Sequence, residues 1–524
     1  MSQERLTIVP YETTLRDGNQ SVGVDFSTQS KLEIAKKLDK FGFTFIEGGF
    51  PQANPTDTEF FTEIKNVDLK NAKIVVFGAT ARVDMAVEND PLIDALLKAE
   101  TEFVTIFGKS WTRHVEEALQ TTLKRNLRTI YDSVSFLKSN GRRVIYDAEH
   151  FYDGFKADWQ YALDTLMAAR DGGAEVIVLC DTNGGCLPKF VYQATQEAAH
   201  FLGAGQLMGI HTHNDSGLAL ANTLEAIGAI SDTQRSRKPI HVQGAFNRMG
   251  ERAGNVNLAE FLPVALFKLG WDIGFEDLQG IRNLAEFIGI YGGHKVAGND
   301  PFVGEVVFRH KGGVHISGSQ KIKDAYLHID PKLVGNSTDY EHSDQGGRAN
   351  ILAMAKKHGF ELEKDDLRLA DLAQEMKKLK IFGDAQEFLF LYRHLKKEKE
   401  LPFEVDNKMT NVLVPRFGDP KAQVAVRVNG QVFIKEATGV GPFHAFDLAL
   451  RKAVGLKYPQ VLQVKLKEYA VDSVFGSSDT AAQVDVKITF QTDGKVWSSR
   501  VRSSNEEIAN QNALIDGFLY QLAR

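Results

Sequence analysis

Only two cysteines, Cys180 and Cys186, occur among 524 residues. That count excludes a disulfide framework and makes a reducing, cytoplasmic compartment the expected location. No apolar run approaches the roughly 20 residues that span a bilayer, so no membrane segment is expected. The stretch Met1-Ser-Gln-Glu-Arg5 lacks the basic-then-apolar pattern of a signal peptide. Neither sign of charge dominates: a formal net charge of −6 gives no basis for binding nucleic acid or a membrane surface. What is present is the composition of a soluble globular protein, 43% hydrophobic and 25% charged, long enough for two or three domains.

Up to about residue 270, short apolar runs alternate with amphipathic stretches. The runs are Leu6 to Pro10, Phe43 to Glu47, Lys73 to Phe77, Phe103 to Phe107, Val144 to Tyr146, Val176 to Cys180, Met208 to His211 and Ile240 to Gln243. Helical spacing falls between them, for example over Gln29 to Lys40, His114 to Asn140, Trp159 to Arg170 and Leu218 to Ile230, with a last helix from Asn257. Eight such pairs predict an α/β fold, a (β/α)8 barrel over residues 1–272. An open doubly wound sheet is the rival, but no strand is followed by its Gly-rich phosphate fingerprint. Residues 273–403 read as a helical linker region, with helices over Leu278 to Gly289, Gly347 to Gly359 and Asp366 to Leu379, broken by the Gly-rich patch His310 to His315. The charged tract Arg393 to Glu400 reads as a solvated helix end or linker. Residues 404–524 predict a C-terminal α+β domain of two similar halves. Its strands are Gln423 to Asn429, Gln431 to Glu436, Leu462 to Tyr469, Ala482 to Phe490 and Lys495 to Arg502, and its helices Phe443 to Val454 and Glu506 to Leu522. No chemical residues cluster there, so regulation or oligomerisation fits it better than catalysis.

In a barrel, active groups gather at the C-terminal strand ends. Polar residues follow the runs: Arg16-Asp17, Glu47, Thr80, Lys109-Ser110, Asp147 and Glu149-His150, Asp181-Thr182-Asn183, His211-Thr-His213-Asn214-Asp215, and Gln243. His211 and His213 are two apart at a strand end, so their imidazoles face one side and can share a metal ion. Two solvated histidines would look the same. Asp17, at the end of the first strand, offers a carboxylate, though Asp before Gly18 is also an ordinary turn residue.

Three motifs carry a family resemblance. Thr13-Thr-Leu-Arg-Asp-Gly-Asn-Gln-Ser21, His211-Thr-His-Asn-Asp-Ser-Gly-Leu-Ala219 and Gly250-Glu-Arg-Ala-Gly-Asn255 resemble, in order, the signatures of the metal-dependent acyltransferase and lyase barrels. These include 2-isopropylmalate, homocitrate and citramalate synthases. Ile46-Glu-Gly-Gly-Phe-Pro51, Phe107-Gly-Lys-Ser-Trp111, Asp147-Ala-Glu-His-Phe151 and Cys180-Asp-Thr-Asn-Gly-Gly185 are similar to the bacterial citramalate synthase branch. The resemblance spans almost the whole chain, including a C-terminal domain like the amino-acid-sensing domain of these synthases.

The resemblance implies condensation of pyruvate with acetyl-CoA as co-substrate, then thioester hydrolysis to 2-methylmalate (citramalate) and CoA, an entry to isoleucine synthesis. It implies a divalent metal held by Asp17, His211, His213 and Asn255; a mixed N/O set suits Mg, Mn, Co or Zn and does not choose among them. Without the motif, Asn255 reads as a helix cap. Arg16 is expected to bind the pyruvate carboxylate and the developing oxyanion, the alternative being a surface arginine. Glu149 is expected to order Arg16 or a bound water, and Thr182 to contact the carboxylate; a buried ion pair and a helix cap are the alternatives. His315 and Tyr326 match a His and a Tyr that reach the site from the linker, often from a partner subunit, so proton transfer and at least a homodimer are expected of them. The domain match implies isoleucine or a similar amino acid as feedback ligand.

The chain departs from the branch at Gly244-Ala-Phe-Asn-Arg-Met249, where a Thr-Ile-Asn-Gly-like stretch is common. Rival readings are a synthase for another 2-oxoacid, 2-isopropylmalate or homocitrate synthase among them; a 3-hydroxy-3-methylglutaryl-CoA lyase, disfavoured because Ala253 stands where that enzyme has a cysteine; and a non-catalytic amino-acid sensor, disfavoured by the ligand set.

Overall fold

The structure, a computed structural model, describes residues 5–51, 53–234, 238–310, 315, 318–319, 321–322, 324–340, 348–379, 383–396, 401–474 and 482–524. They form two compact units, Met1–Phe308 with Leu327–Thr338, and Arg309–Tyr326 with Asp339–Arg524.

In the first unit eight parallel strands close a barrel in chain order: β1 (Ile8–Glu12), β2 (Phe45–Gly49), β3 (Lys73–Ala79), β4 (Phe103–Lys109), β5 (Arg143–Glu149), β6 (Val176–Asp181), β7 (Leu207–Thr212) and β8 (Ile240–Gly244). All eight expected runs lie on these strands. β1 and β2 begin two residues later than their runs and continue through Glu12 and Gly49. The strands are buried on both faces, as β6 is throughout, so they read as apolar runs without alternation. Tyr11, Phe45, Val75, Phe103, Ile145, Val176, Val178 and Cys180 form the barrel's inner core. A larger apolar layer lies between strands and helices. Helix starts carry side-chain caps: Ser27 accepts from the Ser30 N–H, Asn54 from that of Asp57, and Asp158 from that of Tyr161.

The stretch His114 to Asn140 is not one helix. A π-turn, His114–Ala118, is followed by Gln120 at φ 51°, and Thr122 then caps a separate helix, Leu123–Ser139, by accepting from the Arg125 N–H. The last barrel helix, Leu258–Pro263, likewise runs into a π-turn, Val264–Lys268. Among the described residues no helix is long and apolar enough to cross a membrane.

In the second unit, helices Arg348–Lys357 and Arg368–Leu379 answer the expected ones, and Asp384–Leu395 adds a third. That third helix is apolar nearly all round. Phe388, Leu389 and Tyr392 enter the C-terminal core, while Phe390 and Leu391 pack with the other helices, so no one-sided stripe marks it. Two sheets follow. One contains the hairpin Lys421–Val428 and Gln431–Thr438, turned at Asn429 and Gly430 with φ of 48° and 79°; the other is Lys465–Ser473, Val484–Thr492 and Lys495–Ser503. Each is backed by a helix, Pro442–Val454 and Glu506–Ala523. Leu462 lies in a 3-10 turn, Pro459–Gln463, ahead of the strand expected to include it. Lys311 to Val314 of the Gly-rich patch, and residues 397–400 of the charged tract, lie outside the described residues.

Candidate active site

The interior positions at the C-terminal ends of β7, β8, β1 and β2 converge. His211 is the penultimate residue of β7, and His213, just past the strand, bridges backbone to Asn255. β8 separates β7 from β1, whose chain continues into Thr13-Thr-Leu-Arg16-Asp17. The Asp17 Oδ2 lies 3.6 Å from His211 Nε2 and 3.9 Å from His213 Nε2, and the two Nε2 atoms are 3.2 Å apart. All three residues are buried. One ligand atom from each lies within 4.8 Å of the others, a spacing that one ion can bridge.

The electrostatics fit a cation. Burial opposes the charge on Asp17, but Arg16, then His213 and His211, and the Glu251 N–H together hold its carboxyl well below the usual range. Burial, then His213, pushes His211 down to about 3, and burial likewise lowers His213. Both imidazoles are therefore neutral near pH 7, as metal ligands must be. Asn255 lies beside the three. With its nitrogen donating to Asp17 Oδ1 and Met249 O, each at 3.3 Å, its amide sets Oδ1 3.1 Å from His211 Nε2. The capping role belongs instead to Asn257, which accepts from the Ala259 N–H. Asp17 is no simple turn former either, since its side chain caps nothing in the turn it begins. Gly250 holds φ 140°, and a Cβ there would meet the end of the Asn255 amide, so only glycine lets that amide in.

Arg16 is buried. Its Nε donates to Glu47 Oε2 at 2.5 Å, one Nη donates to Asp17 at 2.9 Å, and the guanidinium lies 3.7 Å over the Phe77 ring. Burial opposes its charge, but Glu47 and then Asp17 more than restore it, so it stays protonated at any ordinary pH. The ordering of Arg16 expected of Glu149 thus falls to Glu47, which also accepts from the Tyr11 hydroxyl at 2.9 Å. Glu149 pairs with Lys109, and both are half-buried. The Thr182 hydroxyl accepts from the His150 N–H at 2.8 Å and keeps its own proton to donate. In the second unit, the exposed rings of His315 and Tyr326 stack with centroids 4.2 Å apart.

Glu47, Asp147 and Gln243 stood among the polar strand ends but without roles. Gln243 bridges His211 to Asp147, whose carboxyl is pushed up to about 8 by burial and then by Glu47. Strand parity could have found them: Tyr11, Glu47, Asp147, His211 and Gln243 all face the barrel interior.

Residues 7–288 match the HMGL-like family, 302–384 the homocitrate synthase post-HMGL domain-like family, and 385–521 the LeuA allosteric (dimerisation) domain. An (R)-citramalate synthase of Aquifex aeolicus is 42% identical across 98% of this chain and 97% of its own. The chain belongs to the HMGL-like family, in its (R)-citramalate synthase branch. Synthases of the same name from Sulfolobus acidocaldarius and Synechocystis sp. are each 39% identical, over 98% and 100% of this chain and 96% and 97% of theirs. Within the HMGL-like match lie all three motifs and the buried cluster of Asp17, His211 and His213.

Proposed function

We propose that the protein condenses acetyl-CoA with pyruvate and hydrolyses the thioester, releasing (R)-citramalate and CoA. The likeness to (R)-citramalate synthases along the whole chain carries this reading. Charge at the barrel mouth supports it. Arg16, Asp17 and Glu47 sum to one negative charge, and a divalent cation turns that to one positive, which a monoanionic 2-oxoacid neutralises. When bound by Asp17, His211, His213 and Asn255, such an ion (Mg, Mn, Co or Zn) polarises the keto oxygen and steadies negative charge there.

The remaining work falls to side chains. With Nε and one Nη held by Glu47 and Asp17, Arg16 presents its second Nη to the substrate oxygens. Thr182 donates its hydroxyl proton to the pyruvate carboxylate. His315 and Tyr326 are assigned the proton transfers: one leaves the acetyl methyl as its carbon attacks the keto carbon, and one reaches the new alkoxide. Glu149, beside Lys109, is assigned to the water that cleaves the thioester.

We assign catalysis to residues 1–272, linkage to 273–403 and regulation to 404–524, in a cytoplasmic homodimer on a route to isoleucine. The regulatory ligand is an amino acid, isoleucine by family. A cleft of about 350 Å³ lined by Phe443, Phe446, Tyr469, Glu506, Glu507 and Asn510 supports this, since aromatic walls suit a branched side chain and carboxylates an ammonium. Thiol release measured with pyruvate, 2-oxobutyrate, 2-oxoisovalerate and 2-oxoglutarate tests the substrate. Pyruvate should be preferred, and isoleucine should slow its turnover. Preference for either of the last two acids would sink the assignment.

A further inference from the structure

Resting on the metal reading of Asp17, His211 and His213, we infer that Gln243 is a positioning residue that presets the tautomer of His211, making it the anchoring imidazole of the site. An imidazole binds a cation through a nitrogen that carries no proton, so the proton must sit on the other nitrogen. Gln243 stands beside His211 across the β7–β8 ladder, where the two are register partners, and is 1% exposed. Its amide spans two groups. Oε1 lies 2.9 Å from His211 Nδ1, and Nε2 donates to Asp147 Oδ1 at 2.9 Å.

The Asp147 end decides the direction of the whole chain. Asp147 Oδ1 accepts from Gln243 Nε2 there, so the amide oxygen faces His211. An amide oxygen can only accept, so Nδ1 carries the proton. Nε2 is left with its lone pair directed at Asp17 and His213. His213 differs: its Nδ1 is buried and has no hydrogen-bond partner among the described residues. No neighbour holds a proton on that nitrogen, so His211 is ready before the ion arrives and His213 adapts to it.

Titrating metal-stripped protein with Co2+ and measuring its dissociation constant tests this in wild type, Gln243→Met and the double variant Asp147→Asn/Gln243→Glu. Methionine keeps the volume but cannot accept, so affinity should weaken about 10- to 100-fold. In the double variant the donor and acceptor exchange places. The amide introduced at position 147 donates to the carboxylate introduced at position 243, and that carboxylate still accepts from Nδ1, so most of the lost affinity should return. A residue that merely fills space would not be rescued by that exchange. Equal affinity in Gln243→Met and wild type, or a double variant no tighter than Gln243→Met, overturns the inference. Nitrogen-15 shifts of His211 in the metal-free wild type provide a reading that no variant's misfolding can obscure: Nδ1 protonated is expected, and Nε2 protonated overturns it. If wild type and His211→Ala bind Co2+ alike, the metal reading itself has failed.

Discussion

Replacing Glu12 with glutamine is expected to stabilise the protein at neutral pH. Glu12 ends β1 and is fully buried, facing away from the barrel axis. Its Oε1 accepts from the N–H of Thr14 at 3.0 Å and from the Thr14 hydroxyl, whose oxygen accepts in turn from the Phe246 N–H at 2.9 Å. The strut joins the loop bearing Arg16 and Asp17 to the loop after β8. Oε2 has no hydrogen-bond partner among the described residues. Burial is the largest influence on this carboxyl, the two Thr14 bonds oppose it, the Glu47 charge adds to it, and together they push it from 4.5 up to about 8. Between those values the folded chain keeps a proton that the unfolded chain releases, so stability falls as pH rises through the window. The slope is about 1.4 kcal/mol per pH unit, and the accumulated loss at neutral pH is about 3 kcal/mol. Glutamine keeps the Oε1 acceptor and cannot ionise in either state. Its unpaired amide nitrogen replaces an equally unpaired carboxyl O–H, so the polar costs nearly cancel. Urea unfolding of wild type and Glu12→Gln at several pH values across the window should give curves that meet near the lower end and separate steadily toward the upper. A gap that does not change with pH means that Glu12 is ionised in the fold, and the reasoning fails.

Arg16→Lys keeps the charge but loses the planar fork whose separate nitrogens reach Glu47, Asp17 and a substrate oxygen, and it cannot lie flat on Phe77. Turnover in the thiol-release assay should fall roughly 10²- to 10³-fold, and a loss under tenfold would refute the oxyanion role. Stripping the metal should lower the melting temperature, because an ion present at about 100 times its dissociation constant adds about 2.7 kcal/mol to the folded state. Coincident melts with and without chelator would speak against a site at Asp17, His211 and His213.

The barrel was legible because strands buried on both faces leave apolar runs, and polar residues follow each run. The same burial hid the exact starts of β1 and β2, where no alternation marks which residue first joins the ladder. The His-x-His spacing and Asp17 announced the buried cluster, since parity on one strand and the order of strands suffice to bring them together. The partners of those residues were not legible. That Glu47 and not Glu149 holds Arg16 depends on which strand lies next to β1, and Glu149, four strands away, meets Lys109 on β4 instead. Helix Asp384–Leu395 escaped notice for a different reason: it buries both sides, so the stripe that reveals a surface helix is absent.

The order of the strands explains why three motifs so far apart in sequence make one site. β1 pairs with β2 on one side and with β8 on the other, and β8 pairs with β7. Going round the mouth, His211 and His213 come first, then Gln243, then Arg16 and Asp17, then Glu47. The loop after β8 returns Asn255 to the backbone of His213. Barrel closure therefore joins the first motif to the last, and the chain ends of the barrel meet where the chemistry is. The acidic and basic groups then divide by layer. Asp17 and the imidazoles form the front cluster, while Glu47 and Asp147 behind them hold Arg16 and Gln243 in place. Removing a group from the rear layer should consequently change how tightly the front layer binds and how well it is aimed, while leaving intact the set of atoms that could bind.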